Sequence, residues 1–215
     1  MLIDVSFRIH EAHHRQAVSS VTMTMTTLPR KLNLGCGKFK LPGYHNVDAW
    51  PEANPDQLID LNRLPLPFPD NSFDEVRADH VLEHLHDVFG TMLDLHRVCS
   101  NGALIKVKVP HFSRGMTHPD HKRCFDVTFR YYFDPSFPPG YFGRTMKVEY
   151  ERLRWFGQSY MKKAAMPAML FWTGRIAGAV IDFFANLSPM FSSRFWCFWV
   201  GGFEEYEIHF RVVKP

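Results

Sequence analysis

Short apolar runs alternate with turn residues along residues 30–112, a pattern typical of an open α/β sheet. The last of these runs alternates strictly, with apolar side chains on one face and Lys106 and Lys108 on the other. We predict five strands here, at residues 31–34, 46–48, 58–60, 73–78 and 103–109. Such a series predicts a doubly wound sheet.

Apolar residues recur at helical spacing between the fourth and fifth predicted strands. The series runs from Val81 to about Val98 and predicts a single long helix. We expect this helix to end near Asn101-Gly102, because glycine often follows a helix C-terminus.

The C-terminal part of the chain holds two further alternating runs, at residues 146–156 and 204–213. Their pattern predicts two strands of an antiparallel pair. The residues between them, 157–202, form a hydrophobic insertion in which aromatic side chains are concentrated.

The chain has 215 residues, 46% of them hydrophobic, which suits one core and one domain over residues 29–215. Residues 1–28 are polar and show no strand or helix pattern, so we expect a poorly ordered tail. Met23 or Met25 is then a candidate for the natural start.

Net charge bears on nucleic-acid binding, and cysteine spacing bears on disulfides, zinc and the cellular compartment. The net charge is only +3, and the basic residues form no run or stripe, so we expect no nucleic-acid partner. Four widely spaced cysteines without a C-x-x-C pair predict neither a disulfide framework nor a zinc ribbon. A reducing, cytoplasmic compartment fits this usage.

A glycine turn, Gly35-Cys36-Gly37, follows directly on the first predicted strand, where glycine lets backbone approach a ligand closely. Lys40 stands where a dinucleotide fingerprint needs a third glycine, and Gly37-Lys38-Phe39 does not fit a P-loop. A cofactor without a pyrophosphate fits this loop better.

Two acids end the next two predicted strands. Asp48 is placed to accept hydrogen bonds from ribose hydroxyls, and Asp60 from an adenine amino group. Each alone could equally be a solvated acid at a strand end, but together with the glycine loop they predict an adenosine site at the carboxyl edge of the sheet.

Four stretches carry a resemblance to a known family: LNLGCG at 32–37, GYHNVD at 43–48, LPLPFPDNSFD at 64–74 and HVLEHL at 80–85. They resemble class I S-adenosylmethionine-dependent methyltransferases of the small type-11-like branch. Residues 194–213 are similar to members associated with surface-polysaccharide and lipid-glycan synthesis. The resemblance implies a Rossmann-like, mostly parallel seven-stranded sheet with an antiparallel last strand.

The resemblance also implies which residues bind S-adenosylmethionine. Gly35, Cys36 and Gly37 would wrap its methionine part, and Asp48 would hold the ribose. The remaining positions would flank adenine (Asp60 and Leu61) or line the donor pocket after the fourth strand (Asp79 and His80).

Two departures from the family pattern concern the glycine loop. Asn33 stands where many class I enzymes have an acid. Residues 38–45 are also too few for a full crossover helix, so the first helix must be vestigial.

A histidine-rich segment follows the fifth predicted strand and offers candidate bases for a poorly nucleophilic acceptor, such as a sugar hydroxyl. We expect a substrate lid in which His111 or His121 is the base. The spacing of His111, His118, His121 and Cys124 could also supply zinc ligands, but it matches no familiar zinc module, and we predict no metal. Ordinary polar loop structure is the third reading.

The insertion contains a helix-length apolar segment interrupted by Arg175 and Asp182. With Gly178 and Asn186, these residues fall on one helical face. The segment could be a cap packed on the sheet, a dimer face, or an interfacial helix on a membrane, with contact through residues 160–200. A spanning helix is the least favoured.

The sequence therefore predicts methyl transfer from S-adenosylmethionine to a small-molecule or glycan acceptor, with an oxygen of a glycan or lipid-linked intermediate as one candidate. The alternative is a methyltransferase-like binding or scaffold protein without turnover. We expect a cytoplasmic protein that can lie on the inner face of the membrane.

Overall fold

The computed structural model describes residues 30–215, so the predicted tail and the candidate starts lie outside the described residues. These residues form a seven-stranded sheet of order β3-β2-β1-β4-β5-β7-β6. The first five strands are parallel, and β7 lies antiparallel between β5 and β6. The predicted α/β fold with an antiparallel last strand is confirmed. The strands are β1 Lys31–Leu34, β2 His45–Asp48, β3 Gln57–Leu58, β4 Phe73–Asp79, β5 Cys99–Pro110, β6 Met146–Arg154 and β7 Glu205–Val212.

Within residues 30–215, five α-helices accompany the sheet: α1 Val88–Val98, α2 Phe112–Gly115, α3 Ser159–Ala165, α4 Ala168–Ala185 and α5 Pro189–Arg194. The apolar face of α1 packs on the sheet, with Met92 and Leu95 fully buried against Val76 and other strand residues in one core. Truncating a buried leucine of this kind to alanine costs about 2–5 kcal/mol.

The prediction for α1 was right about its last residue, Val98, and wrong about its start. Residues Leu82–His84 form a 3₁₀ turn, Leu85 is extended, and the helix begins at Val88. Asp87 caps it by accepting the backbone N–H of Gly90 at 2.7 Å, which fixes the start seven residues later than the apolar spacing indicated. The chain enters β5 directly at Cys99, without the expected break near Asn101.

The crossover from β1 to β2 contains only turns, as the short spacing predicted. A buried polar network braces it instead of a helix: Asn46 Nδ2 donates to Asp56 Oδ2 at 2.8 Å, and Asn46 Oδ1 accepts from Asn33 Nδ2 at 2.9 Å. Burial opposes ionisation of Asp56, but hydrogen bonds from Lys40 and Asn46 outweigh it and hold its pKa at about 2. Asn33 thus stabilises the loop in place of an acid.

Helix α4 turns its polar residues toward the sheet. Asp182 Oδ1 accepts the backbone N–H of Trp155 at 2.7 Å, and Asn186 bonds to both the N–H and the carbonyl of Leu153. These contacts satisfy backbone groups at the end of the edge strand β6. Asp182 and Asn186 therefore face the sheet, whereas Arg175 is exposed and most apolar side chains of α4 are left on the outside.

Candidate active site

A cavity of about 990 Å³ opens at the carboxyl ends of β1 and β4, where sheets of this kind bind ligands. Its walls come from the glycine loop, the end of β4, the segments after β4 and β5, helix α3 and the start of β7. The chain thus brings residues from positions 33 to 205 to one place.

The glycine loop lines one wall and needs its glycines for two different reasons. Gly35 has φ +62° and Gly37 has φ +47°, the left-handed region that disfavours other residues. A Cβ on Gly35 would lie 2.4 Å from Val81 Cγ2, whereas the space beside Gly37 is open. Cys36 between them also lines the cavity, and burial raises the pKa of its thiol.

Asp48 braces this loop rather than lining the cavity. Its Oδ2 accepts the backbone N–H of Gly37 at 2.7 Å, and its Oδ1 accepts that of Trp50 at 2.9 Å. Trp50 itself lines the cavity, with Lys38 Nζ 5.2 Å from its ring centroid. The sequence reading missed Trp50, although its place two residues after Asp48 was a usable signal.

Asp60 and Leu61, the two residues expected to flank adenine, are not among the residues that line the cavity. Strand β3 ends at Leu58, two residues earlier than predicted, so Asp60 belongs to the following turn. There its carboxylate is half exposed, accepts the N–H of Asn62 and pairs with Arg63 at 3.3 Å. Leu61 is buried in the core.

Asp79 ends β4 and His80 follows it, and both residues line the cavity. Asp79 Oδ2 lies 2.6 Å from Arg77 Nη2, while its buried Oδ1 has no hydrogen-bond partner. His80 Nε2 lies 2.8 Å from Glu205 Oε2. Burial lowers the pKa of His80, but the carboxylates of Glu205 and Glu83 outweigh it and raise that pKa to about 9.

His111 is not placed to act as the base, because it lies outside the cavity. Its ring is fully buried outside the cavity lining, with Nδ1 2.7 Å from Ser113 Oγ and Nε2 2.8 Å from Ser193 Oγ. Burial lowers its pKa to about 4. Both nitrogens are occupied by hydroxyls, so no ring atom is left to take a proton from an acceptor.

His121 does line the cavity. Its Nδ1 lies 2.7 Å from the carbonyl oxygen of Gly115, and its Nε2 lies 4.0 Å from Glu83 Oε1. His118 stacks on it with ring centroids 4.6 Å apart. Of the two predicted bases, only His121 is placed to meet a ligand in the cavity.

The residues present fit S-adenosylmethionine. The unpaired Asp79 Oδ1 is a buried acceptor that suits an ammonium or hydroxyl donor. Lys108 and Arg114, with His80, supply positive charge for a carboxylate. The open space beside Gly37 lets the backbone approach the ligand.

Residues 45–106 match the model of a family described as a methyltransferase domain. Demethylmenaquinone methyltransferase from Geobacillus stearothermophilus is 30% identical over 128 residues, which are 60% of this chain and 47% of that protein. The chain therefore spans about half the length of the curated relatives it matches.

Two solved structures share the fold. An S-adenosylmethionine-dependent methyltransferase from Mesorhizobium loti superposes with a TM-score of 0.50 at 14% identity, covering 85% of this chain and 90% of that one. Another from Archaeoglobus fulgidus gives a TM-score of 0.50 at 17% identity, covering 87% of each chain. The described residues have the fold of S-adenosylmethionine-dependent methyltransferases, and the family match supports S-adenosylmethionine as the cofactor of this site.

Proposed function

We propose that this chain transfers a methyl group from S-adenosylmethionine to an oxygen of an acceptor carried by a lipid surface. The observation that carries the proposal is the cavity at the ends of β1 and β4, because it joins the glycine loop, the unpaired Asp79 oxygen and His121. The matched family model supports the reaction class.

When bound, S-adenosylmethionine supplies an electrophilic methyl group: the acceptor oxygen forms the new carbon–oxygen bond while the carbon–sulfur bond breaks and its electron pair stays on sulfur. The protein needs no covalent step and contributes mainly by holding the reactants in line and excluding water. Asp79 and the glycine loop position the donor. His121 is the group in the cavity placed to take the proton of an acceptor hydroxyl.

The outward face of the insertion supports a lipid-borne acceptor. Its apolar side chains are more than half exposed: Met169, Leu170, Trp172, Ile176, Val180, Phe183, Phe184, Leu187, Phe195, Phe198 and Trp199. Soluble monomers rarely expose a patch of this extent, and such a patch usually marks an interaction surface. Helix α4 would also suit a membrane span by length and mean hydropathy, but its buried contacts with β6 hold it along the domain.

An anionic bilayer is the occupant that best fits this face. Lys163 and Arg175 are exposed beside it, and Trp172 and Trp199 offer the amphipathic rings favoured at the headgroup boundary. Helix α3, which packs on α4, contributes Tyr160 to the cavity wall. A lipid surface under α4 would therefore lie next to the acceptor side of the cavity, on the cytoplasmic leaflet.

The test is release of S-adenosylhomocysteine by the full chain from S-adenosylmethionine, with lipid-linked glycans in anionic vesicles, free glycans or demethylmenaquinone as acceptor. We expect product only with the vesicle-borne glycan and a large loss in the Asp79→Asn variant. Turnover confined to demethylmenaquinone or to a free glycan would reject the proposed acceptor. Binding of the cofactor without turnover on any acceptor favours the scaffold alternative.

A further inference from the structure

The cavity contains a buried carboxylate that the proposed reaction does not use. Glu83 is fully buried, and neither of its carboxylate oxygens has a hydrogen-bond partner. His80 Nδ1 lies 3.3 Å from Glu83 Oε1, a charge contact without hydrogen-bond geometry. An ionised carboxylate with free lone pairs is costly to bury unless a cation or a donor meets it.

Two histidines besides His80 lie near this carboxylate. One potential ligand atom from each of Glu83, His84 and His121 lies within 4.8 Å of the others. Tetrahedral coordination at zinc bond lengths places ligand atoms roughly 3.4 Å apart, so side-chain shifts of about 1 Å would close the site. The 4.0 Å from His121 Nε2 to Glu83 Oε1 is already near that separation.

The outer contacts of both histidines match those of metal ligands. His84 Nδ1 lies 3.2 Å from the carbonyl oxygen of Asp120, and His121 Nδ1 lies 2.7 Å from that of Gly115. A carbonyl can only accept, so each Nδ1 carries the proton and each Nε2 keeps its lone pair. Ligating histidines are usually oriented in this way.

Lys122, the residue after His121, ties His121 to the segment that contains Glu83 and His84. The N–H of Lys122 donates to the carbonyl oxygen of Glu83 at 3.0 Å, and Lys122 Nζ donates to that of His84 at 2.7 Å. Glu83 differs from Glu205, the other carboxylate beside His80, because Glu205 also pairs with Arg154 Nε at 3.4 Å.

We propose that Glu83, His84 and His121 bind a divalent transition metal, of which Zn²⁺ fits best. Two imidazoles and one carboxylate are a ligand set of zinc sites that keep an open position. All three residues line the cavity, so that position would face the donor and acceptor. His121 would then act as a ligand, and the cation would lower the pKa of an acceptor hydroxyl, whose proton passes to solvent.

The test is titration of the chelator-stripped full chain with Zn²⁺ by calorimetry, and with Co²⁺ by visible absorption, which reports tetrahedral coordination. We expect one ion per chain and an affinity loss of at least roughly tenfold in Glu83→Gln and in His121→Ala. His86→Ala removes an exposed neighbouring histidine outside the cluster and should bind as the wild type does.

No Zn²⁺ binding by folded wild-type protein, or wild-type affinity in both cluster variants, would overturn the proposal. A thermal melt of each variant reports whether it is folded. If one of the two cluster variants fails to fold, the other still tests the proposal. S-adenosylhomocysteine binding measured on the same samples separates the proposals: zinc binding without it rejects the methyl-transfer function and leaves the metal site standing.

Discussion

Asp48 Oδ2 accepts the backbone N–H of Gly37 at 2.7 Å and thereby ties the end of β2 to the glycine loop. The same carboxylate holds the N–H of Trp50, so one side chain fixes two segments of the cavity rim. The acid that the sequence assigned to the ribose is already committed to backbone donors. Its free lone pairs can still accept from a ligand, since a carboxylate offers about four acceptor sites.

Replacing Asp48 by alanine is expected to weaken both the fold and cofactor binding. Two backbone donors lose a charged acceptor, a loss of about 1–3 kcal/mol in the free energy of unfolding. Denaturant unfolding and calorimetry with S-adenosylhomocysteine measure the two effects. Asp60→Ala, an exposed acid outside the cavity, should change stability by less than about 0.5 kcal/mol. Equal changes in stability and in cofactor affinity for Asp48→Ala and Asp60→Ala would contradict the role of Asp48 in bracing the glycine loop.

The polar network beneath the crossover predicts a second stability effect. Asn46→Ala removes one partner each of Asn33 and Asp56 and the acceptor of the Leu41 N–H, so unfolding should become easier by more than about 2 kcal/mol. Asn62→Ala removes an exposed amide that accepts one hydrogen bond, from the N–H of His86, and serves as the matched control. Similar midpoints for both variants in urea would show that the network does not stabilise the loop.

The buried His111 ring predicts a pH dependence of stability. Its pKa is about 4 when folded against about 6.5 when unfolded, so below pH 6.5 the unfolded chain binds more protons. Stability should therefore fall as the pH drops from about 6.5 to 4, by on the order of 3 kcal/mol from this group. Above pH 7 the His111 ring should make the stability of the folded chain neither rise nor fall with pH.

His111→Asn keeps a cap acceptor for the N–H of Ser113 and removes the titration. Urea unfolding of the wild type and the variant at a series of pH values measures the contribution of His111. All other titratable groups are present in both proteins, so their contributions cancel in the difference. We expect the difference in free energy between them to change with pH only below about 6.5. A difference that is constant from pH 4 to 7 would mean that the ring is not held neutral by burial.

The outward face of α4 predicts vesicle binding. The wild-type chain should float with anionic vesicles and less with neutral ones, and the double variant Ile176→Glu with Phe183→Glu should remain in the dense fraction. Each substitution removes about 1.5–3 kcal/mol of apolar burial. Leu58→Glu, equally exposed on the opposite edge strand, is the control. A stable dimer that buries α4 and does not float would identify a second copy as the occupant.

Most of the sheet could be predicted from the sequence because β1, β4, β5 and β7 each contain a short apolar run or an alternation of apolar and polar residues. The end of β3 could not, since Ile59 continues the apolar run although the backbone has already turned. The start of α1 was missed for a similar reason: Leu82 and Leu85 are buried at helical spacing, but they belong to a 3₁₀ turn and an extended residue.

The candidate site was predictable only where it lies next to a strand end. Gly35, Gly37, Asp79 and His80 lie at a strand end or within three residues of one, and all four line the cavity. Glu83 and His121 are held close together by the hydrogen bonds of Lys122, which lies 39 residues after Glu83 in the chain. No local sequence pattern reveals a contact over this separation. His111 and His121 were indistinguishable in sequence, and only burial separates them.

Calorimetric titration of the full chain with S-adenosylmethionine and S-adenosylhomocysteine, repeated on Asp79→Asn and Asp60→Asn, tests the placement of the donor site. We expect both compounds to bind to the wild type and to Asp60→Asn. We expect an affinity loss of roughly tenfold or more in Asp79→Asn, because the buried acceptor in the cavity becomes a donor. No binding by folded wild-type protein, or an equal loss in both variants, would contradict the placement of the donor site.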